Sequence, residues 1–126
     1  MLNYLYPKVQ KDTTELTMIR KEDLPACPVA TTVQLIGNKW KLLILRNLMA
    51  KTHRFNELKK TIPGISQKVL TDNLRDLEAS QIVKRTVYPV IPPKVEYELT
   101  DIGESMRPII KDMELWGLKY KASLLE

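Results

Sequence analysis

Two short segments with apolar stripes, joined by Pro63-Gly64 and followed by two strand-like runs around a proline cluster, constrain this chain more than any other feature. The first, Arg54 to Thr61, places Phe55, Leu58 and Ile62 on one side and stops at a dipeptide that favours a turn. The second opens on Ser66, a residue able to accept from a free N–H at a helix start. It carries Val69, Leu70, Leu74 and Leu77 at helical spacing to Ala79. Two helices closed on each other by a tight Gly-containing turn make a helix-turn-helix. Past Ser80-Gln81, the runs Ile82 to Tyr88 and Val95 to Leu99 flank Pro89-Val90-Ile91-Pro92-Pro93. That pattern predicts a β-hairpin with a proline-stiffened tip. The expected fold class is mainly α with a small β-hairpin, α+β, in the layout of a winged helix-turn-helix.

Upstream, Pro28 suits the first position of a helix that begins at Cys27 and passes Val29, Val33 and Ile36 to Gly37. Asn38 can cap the next helix, whose Trp40, Leu43, Ile44, Leu48 and Met49 form a core stripe ringed by Lys39, Lys41, Arg46 and Lys51. Downstream, Thr100 caps a long last helix in which Ile102, Met106, Ile109, Met113, Trp116 and Tyr120 recur every three or four residues. Such a stripe needs a partner surface, and a second copy of the chain supplies one. Pro108, inside this segment, kinks the helix or marks its joint. The expected organisation is an N-terminal arm over 1–26, with a short helix around Thr14 to Arg20, a winged helix-turn-helix DNA-binding domain over 27–99, and a dimerisation helix over 100–126.

The chain has 126 residues, enough for one core, with 44% hydrophobic and 28% charged residues. Its net charge of +5 is unevenly placed: Gly37 to Lys94 holds 12 basic against 4 acidic residues, leaving 8 against 11 in the flanks. A basic centre between mildly acidic arms suits a polyanion, although a solvated charged face gives the same count. The longest apolar run, Leu42 to Leu45, is far below the roughly 20 residues of a membrane-spanning helix. The charged first 26 residues contain no secretory apolar region, so a cytoplasmic location and no membrane partner are expected. No Ser-His-Asp set, Gly-rich phosphate loop or metal cluster is visible, which argues against an enzyme and against any cofactor or metal. His53, the only histidine, reads as a surface or capping residue. Trp40 and Trp116 read as core or interface residues, with an effector-pocket wall as the alternative.

In the second helix of the pair, Leu70, Leu74 and Leu77 share one face, and Lys68, Thr71, Asp72 and Arg75 project from the opposite one. Those four would face DNA, with Ser66 and Gln67 at the helix N-terminus suited to phosphates or base edges. Arg75 or Lys68 could read guanine and Gln67 adenine. Arg85 and Lys94 would flank the wing tip, near Lys84, and touch phosphates. Tyr88 would orient the wing. A sequence-specific DNA-binding regulator is the first functional reading; a winged-helix module docking protein or RNA is the alternative.

The stretches CPVATTVQLIGNKWKLLILRNL, RFNELKKTIPGISQKVLTDNLRDLE and IVKRTVYPVIPPKVEYELTDIGESM together resemble the HxlR family of bacterial and archaeal transcription regulators, relatives of the MarR type. The resemblance spans residues 27 to 106. It implies a dimeric regulator on double-stranded DNA, with Ser66 to Ala79 as recognition helix, Tyr88 to Lys94 as wing, and dimer contacts from terminal helices. Two departures stand out: the arm before Cys27 is longer than usual, and Asp72 stands where such sequences often carry an uncharged polar residue. Many members carry a cysteine at the position of Cys27, and some respond through it to oxidants or electrophiles. A helix N-terminus favours negative charge, and thiol reactivity follows the thiolate fraction, so Cys27 is a candidate sensor of an oxidant or small-molecule effector. The alternative is a small packing residue. As the only cysteine, it would act through an intermolecular or mixed disulfide or an adduct.

Overall fold

The computed structural model describes residues 17–125. Thr14 to Leu16, where the arm helix was expected to begin, lie outside the described residues. From Thr17 to Arg20 the backbone is irregular, and a single 3₁₀ turn follows at Lys21–Asp23. Here the Ile19 N–H donates to the Ala79 carbonyl at 3.0 Å, a bond to another part of the fold rather than within a local helix.

Helix α1, Pro28–Ile36, starts as the sequence predicts, with Cys27 as N-cap and the proline in the first turn, where its missing N–H leaves no hydrogen bond unmade. Helix α2, Lys39–Ala50, is capped by Asn38, whose Oδ1 accepts from the Lys41 N–H at 2.8 Å. Its buried side chains are Ile44, Leu45 and Leu48. Leu45 therefore joins a stripe expected to lack it, because the helix is central and touches neighbours on more than one side.

Strand β1, His53–Arg54, is only two residues long and leads into α3, Phe55–Thr61. The Glu57 carboxylate accepts from the Arg54 N–H at 2.8 Å, which closes the first turn of α3 and holds that carboxyl below the usual glutamate range. The turn after α3 relies on Gly64 at φ +79, with Ile65 N–H donating to the Ile62 carbonyl at 3.4 Å. Helix α4, Gln67–Ala79, follows. The hairpin pairs β2, Val83–Tyr88, with β3, Lys94–Leu99, in a register that sets Arg85 opposite Tyr97 and Tyr88 opposite Lys94.

The sheet has three antiparallel strands in the order β1-β3-β2, not the two expected. His53 pairs with Tyr97 and is only 5% exposed, its Nδ1 lying 2.8 Å from the Lys51 carbonyl. It is a buried sheet residue, contrary to the surface or capping role expected. Too short to leave a periodic signature, β1 escapes the sequence pattern.

The last segment is two helices rather than one: α5, Asp101–Glu104, and α6, Arg107–Ser123. Pro108 marks the joint by sitting in the first turn of α6. Thr100 locks α5 in place, donating its hydroxyl to the Gln81 carbonyl at 2.7 Å and accepting from Gly103 N–H at 3.1 Å. A Cβ at Gly103 would run into the Ile82 carbonyl, so this close approach requires glycine. Around α2 the core gathers Leu58, Ile62, Leu70, Leu74 and Leu77 from α3, its following turn and α4, with Val83 and Leu99 from the sheet. No helix among the described residues is long and apolar enough to cross a membrane.

Candidate nucleic-acid interface

The second helix of the helix-turn-helix begins at Ser66, whose Oγ accepts from the Val69 N–H at 3.1 Å. From that fixed start the helical repeat turns Leu70, Leu74 and Leu77 into the core. It leaves Gln67, Lys68, Thr71, Asp72 and Arg75 exposed, as is Ser66 itself. Six of the eight residues expected to meet DNA thus lie on one element. The Lys68 Nζ lies 2.7 Å from Asp72 Oδ2, and this hydrogen bond holds the ammonium above the usual lysine range. That contact uses one of the three ammonium donors and leaves two for a base or phosphate.

Two polar ties seat α4 against α2. The Asn38 Nδ2 donates to Asn73 Oδ1 at 3.2 Å, and the Asn73 Nδ2 donates to the Val69 carbonyl at 2.7 Å. Asn73 is buried on the inner face of α4. Lys41, with its side chain only 12% exposed, reaches Asp76 at 3.2 Å. Neither Asn73 nor Asp76 stood out in the sequence, since a polar residue within a leucine stripe carries no mark of its partner.

One of the two wing residues takes a different place from that expected. Arg85 does not flank the wing tip. It is half-buried in the middle of β2 opposite Tyr97, beside Glu78 of α4. Burial pushes the Tyr97 hydroxyl up, and the charge and hydrogen bond of Arg85 oppose that shift. Burial likewise pushes the Glu78 carboxyl up against the pull of Arg85 and Arg75. Arg85 is therefore part of the junction between α4 and the hairpin. Lys94 does stand at the foot of the tip, but its Nζ lies 4.7 Å from the centroid of the Tyr88 ring and 3.5 Å from Glu96 Oε2. The Tyr88 hydroxyl donates to Glu96 Oε1 at 3.1 Å, and that bond keeps its proton on, raising it above the ordinary tyrosine range. Exposed cations nearby are Lys59 and Lys60 on α3 and Lys84 on β2.

The outward apolar residues form a separate surface. On α6, Ile109, Met113, Trp116 and Tyr120 are exposed, and the last two rings stack with centroids 5.4 Å apart. Ile102 is exposed on α5, whereas Met106 turns inward against the core, so the break between the helices divides the expected stripe. Val29 and Val33 of α1 are also exposed. Cys27 is exposed at the start of α1, with no hydrogen bond from its side chain to the helix end. A cavity of about 320 Å³ lies between the arm and α4, lined by Met18, Ile19, Gln34, Leu35, Lys41 and Asp76 among others, and neither tryptophan borders it.

Known proteins share this arrangement. YdeP of Bacillus subtilis (strain 168), an HTH-type transcriptional regulator, is 47% identical over 100 residues, covering 79% of this chain and 78% of its own. The structure of the redox regulator HypR in its reduced form superposes with a TM-score of 0.73 at 43% identity, over 75% of this chain and 94% of that one. Diamide-treated YodB from B. subtilis gives 0.64 at 39% identity, over 75% and 94%. A family profile described as HxlR-like helix-turn-helix matches residues 35–124, which take in α2 through α6 and hence both the helix-turn-helix and the hairpin. By that match, and by the same order of helix, turn, helix and hairpin, the chain belongs to the HxlR-like helix-turn-helix family.

Proposed function

We propose that the protein is a sequence-specific transcriptional regulator that binds double-stranded DNA as a homodimer on a near-palindromic operator. The observation that carries this reading is the outward face of α4. Gln67, Lys68, Thr71, Asp72 and Arg75 are exposed there, on a helix whose opposite face is fixed by buried leucines and Asn73. A helix so seated can hold a pattern of donors and acceptors against base edges in the major groove. The DNA-binding unit is residues 27–99. Residues 100–126, with Val29 and Val33 of α1, supply the dimer contacts through Ile109, Met113, Trp116 and Tyr120. Two half-sites about 34 Å apart, or a multiple of that, then follow from the two-fold symmetry. The protein acts in the cytoplasm and without enzymatic turnover.

Cys27 is the effector site in this reading. Its exposure on α1, beside the proposed dimer face, lets a disulfide, mixed disulfide or adduct disturb the pairing of two copies. The names of two similar structures, a redox regulator and a diamide-treated protein, support it. A Cys27→Ser protein should hold its operator under diamide or a quinone while the parent releases it; equal release by both would remove Cys27 from the mechanism.

The test of the main reading is selection from sheared genomic DNA at about 150 mM salt with non-specific competitor, where backbone contacts are weakened. The expected result is enrichment of a few sites sharing an inverted repeat. Uniform recovery that vanishes with salt would point instead to a protein- or RNA-docking module.

A further inference from the structure

The wing ends in an apolar point that the contacts above leave unused. Pro89 to Pro93 contains no charged side chain, Ile91 is 97% exposed, and Val90 beside it is also exposed. An isoleucine held so far into water forgoes the burial that places most isoleucines inside a protein. This point is braced from several directions. The Val90 N–H donates to the Tyr88 carbonyl at 2.8 Å, the Tyr88 hydroxyl is held by Glu96, and three prolines restrict the backbone.

The adjacent cation is directed back into the hairpin, since Lys94 lies over the Tyr88 ring and beside Glu96. A tip meant to clamp phosphates would carry its charge at the end; this one carries a branched hydrocarbon. The hairpin is also tied to the recognition helix, because β2 packs on α4 and Arg85 sits between Glu78 and Tyr97. When α4 docks on a duplex, the tip therefore moves with it as one body.

We propose that Ile91 is an apolar wedge that enters the minor groove flanking each half-site and inserts at a base step. The wedge makes the protein select steps that unstack easily, such as TA and CA/TG, at positions where it makes no hydrogen bond to a base. The proposal rests on the DNA-binding reading above.

Ile91→Ala tests it on a selected operator, and the exposure of Ile91 makes the variant safe for the fold. The expected result is about 100-fold weaker binding, the scale of one lost apolar burial in each half of the dimer. The slope of affinity against salt should stay unchanged, because no phosphate contact is removed. A 2-aminopurine at the flanking step should brighten when the parent binds and stay dark with Ile91→Ala. By contrast, Lys84→Ala should lower the salt slope by about two, one contact in each half of the dimer, and keep the brightening. Parent-level affinity for Ile91→Ala, a changed slope, or a flanking 2-aminopurine that never brightens would each overturn the wedge. A parent protein that selects no operator would instead overturn the regulator reading, and the wedge with it.

Discussion

Helices α4 and α6 carry apolar stripes of the same spacing, yet α4 has Leu70, Leu74, Leu77 and Asn73 buried, while α6, four residues longer, buries only Ile110. The outward stripe of α6, Ile109 to Tyr120, is exposed, and so are Leu115 and Leu118 on its other side. The difference teaches what periodicity can and cannot say. It reports that a face must be covered, and only the rest of the chain decides whether the cover is internal. For α4 the cover is α2 and the sheet. For α6 the described residues of one copy leave the face open.

The contrast can be broken first at its strongest point. Leu70→Ala should cost about 2–5 kcal/mol in denaturant unfolding, whereas Ile109→Ala, at a concentration where the protein is monomeric, should change stability by no more than about 0.5 kcal/mol. Equal losses would mean that α6 is seated within one copy. Next in size, Met113→Asp should abolish dimer mass by light scattering, keep the helical circular dichroism, and weaken operator binding about 100-fold through lost bivalency. A dimer mass that survives places the interface elsewhere.

The seat of α4 is sharpened by Asn73→Ala, which leaves the Asn38 amide without its acceptor and should cost about 1–2 kcal/mol. A loss below about 0.5 kcal/mol would assign the register of α2 and α4 to the leucines alone. The smallest effect is expected at Glu78. Burial raises its carboxyl above the usual range, so its contribution to stability is present when protonated and is lost as pH rises through the folded value. Glu78→Gln should therefore raise the melting temperature at pH 7, by about 1–2 °C after solvent screening, and leave it unchanged at pH 4. A fall at pH 7 would show that the attraction of Arg85 and Arg75 outweighs desolvation.

Local signals made most of the fold legible. Pro28, Asn38 and Ser66 each mark a helix start by a mechanism confined to a few residues, and Pro63-Gly64 marks a turn in the same way. The outward residues of α4 followed directly from its leucines. What stayed hidden depends on distant partners. The two residues of β1 are a strand only because β3 lies beside them, and His53 is buried for the same reason. Arg85 looked like a wing-tip cation until Glu78 and Tyr97 stood next to it. Helix α4, by contrast, stops at Ala79 as the break at Ser80-Gln81 predicts, though without the usual glycine: Gln81 takes the left-handed conformation at φ 64.

The Lys68–Asp72 pair has a consequence for how such a protein would find its site. Helix α4 holds two cations, Lys68 and Arg75, against three acids, Asp72, Asp76 and Glu78, so the element proposed to read bases adds no net pull toward a phosphate chain. In that reading long-range attraction falls to exposed cations on other elements, among them Lys59, Lys60 and Lys84. In the proposed reading adhesion and discrimination are housed apart: exposed lysines on other elements hold the protein near any duplex, and α4, close to charge balance, gains only from the bases it meets.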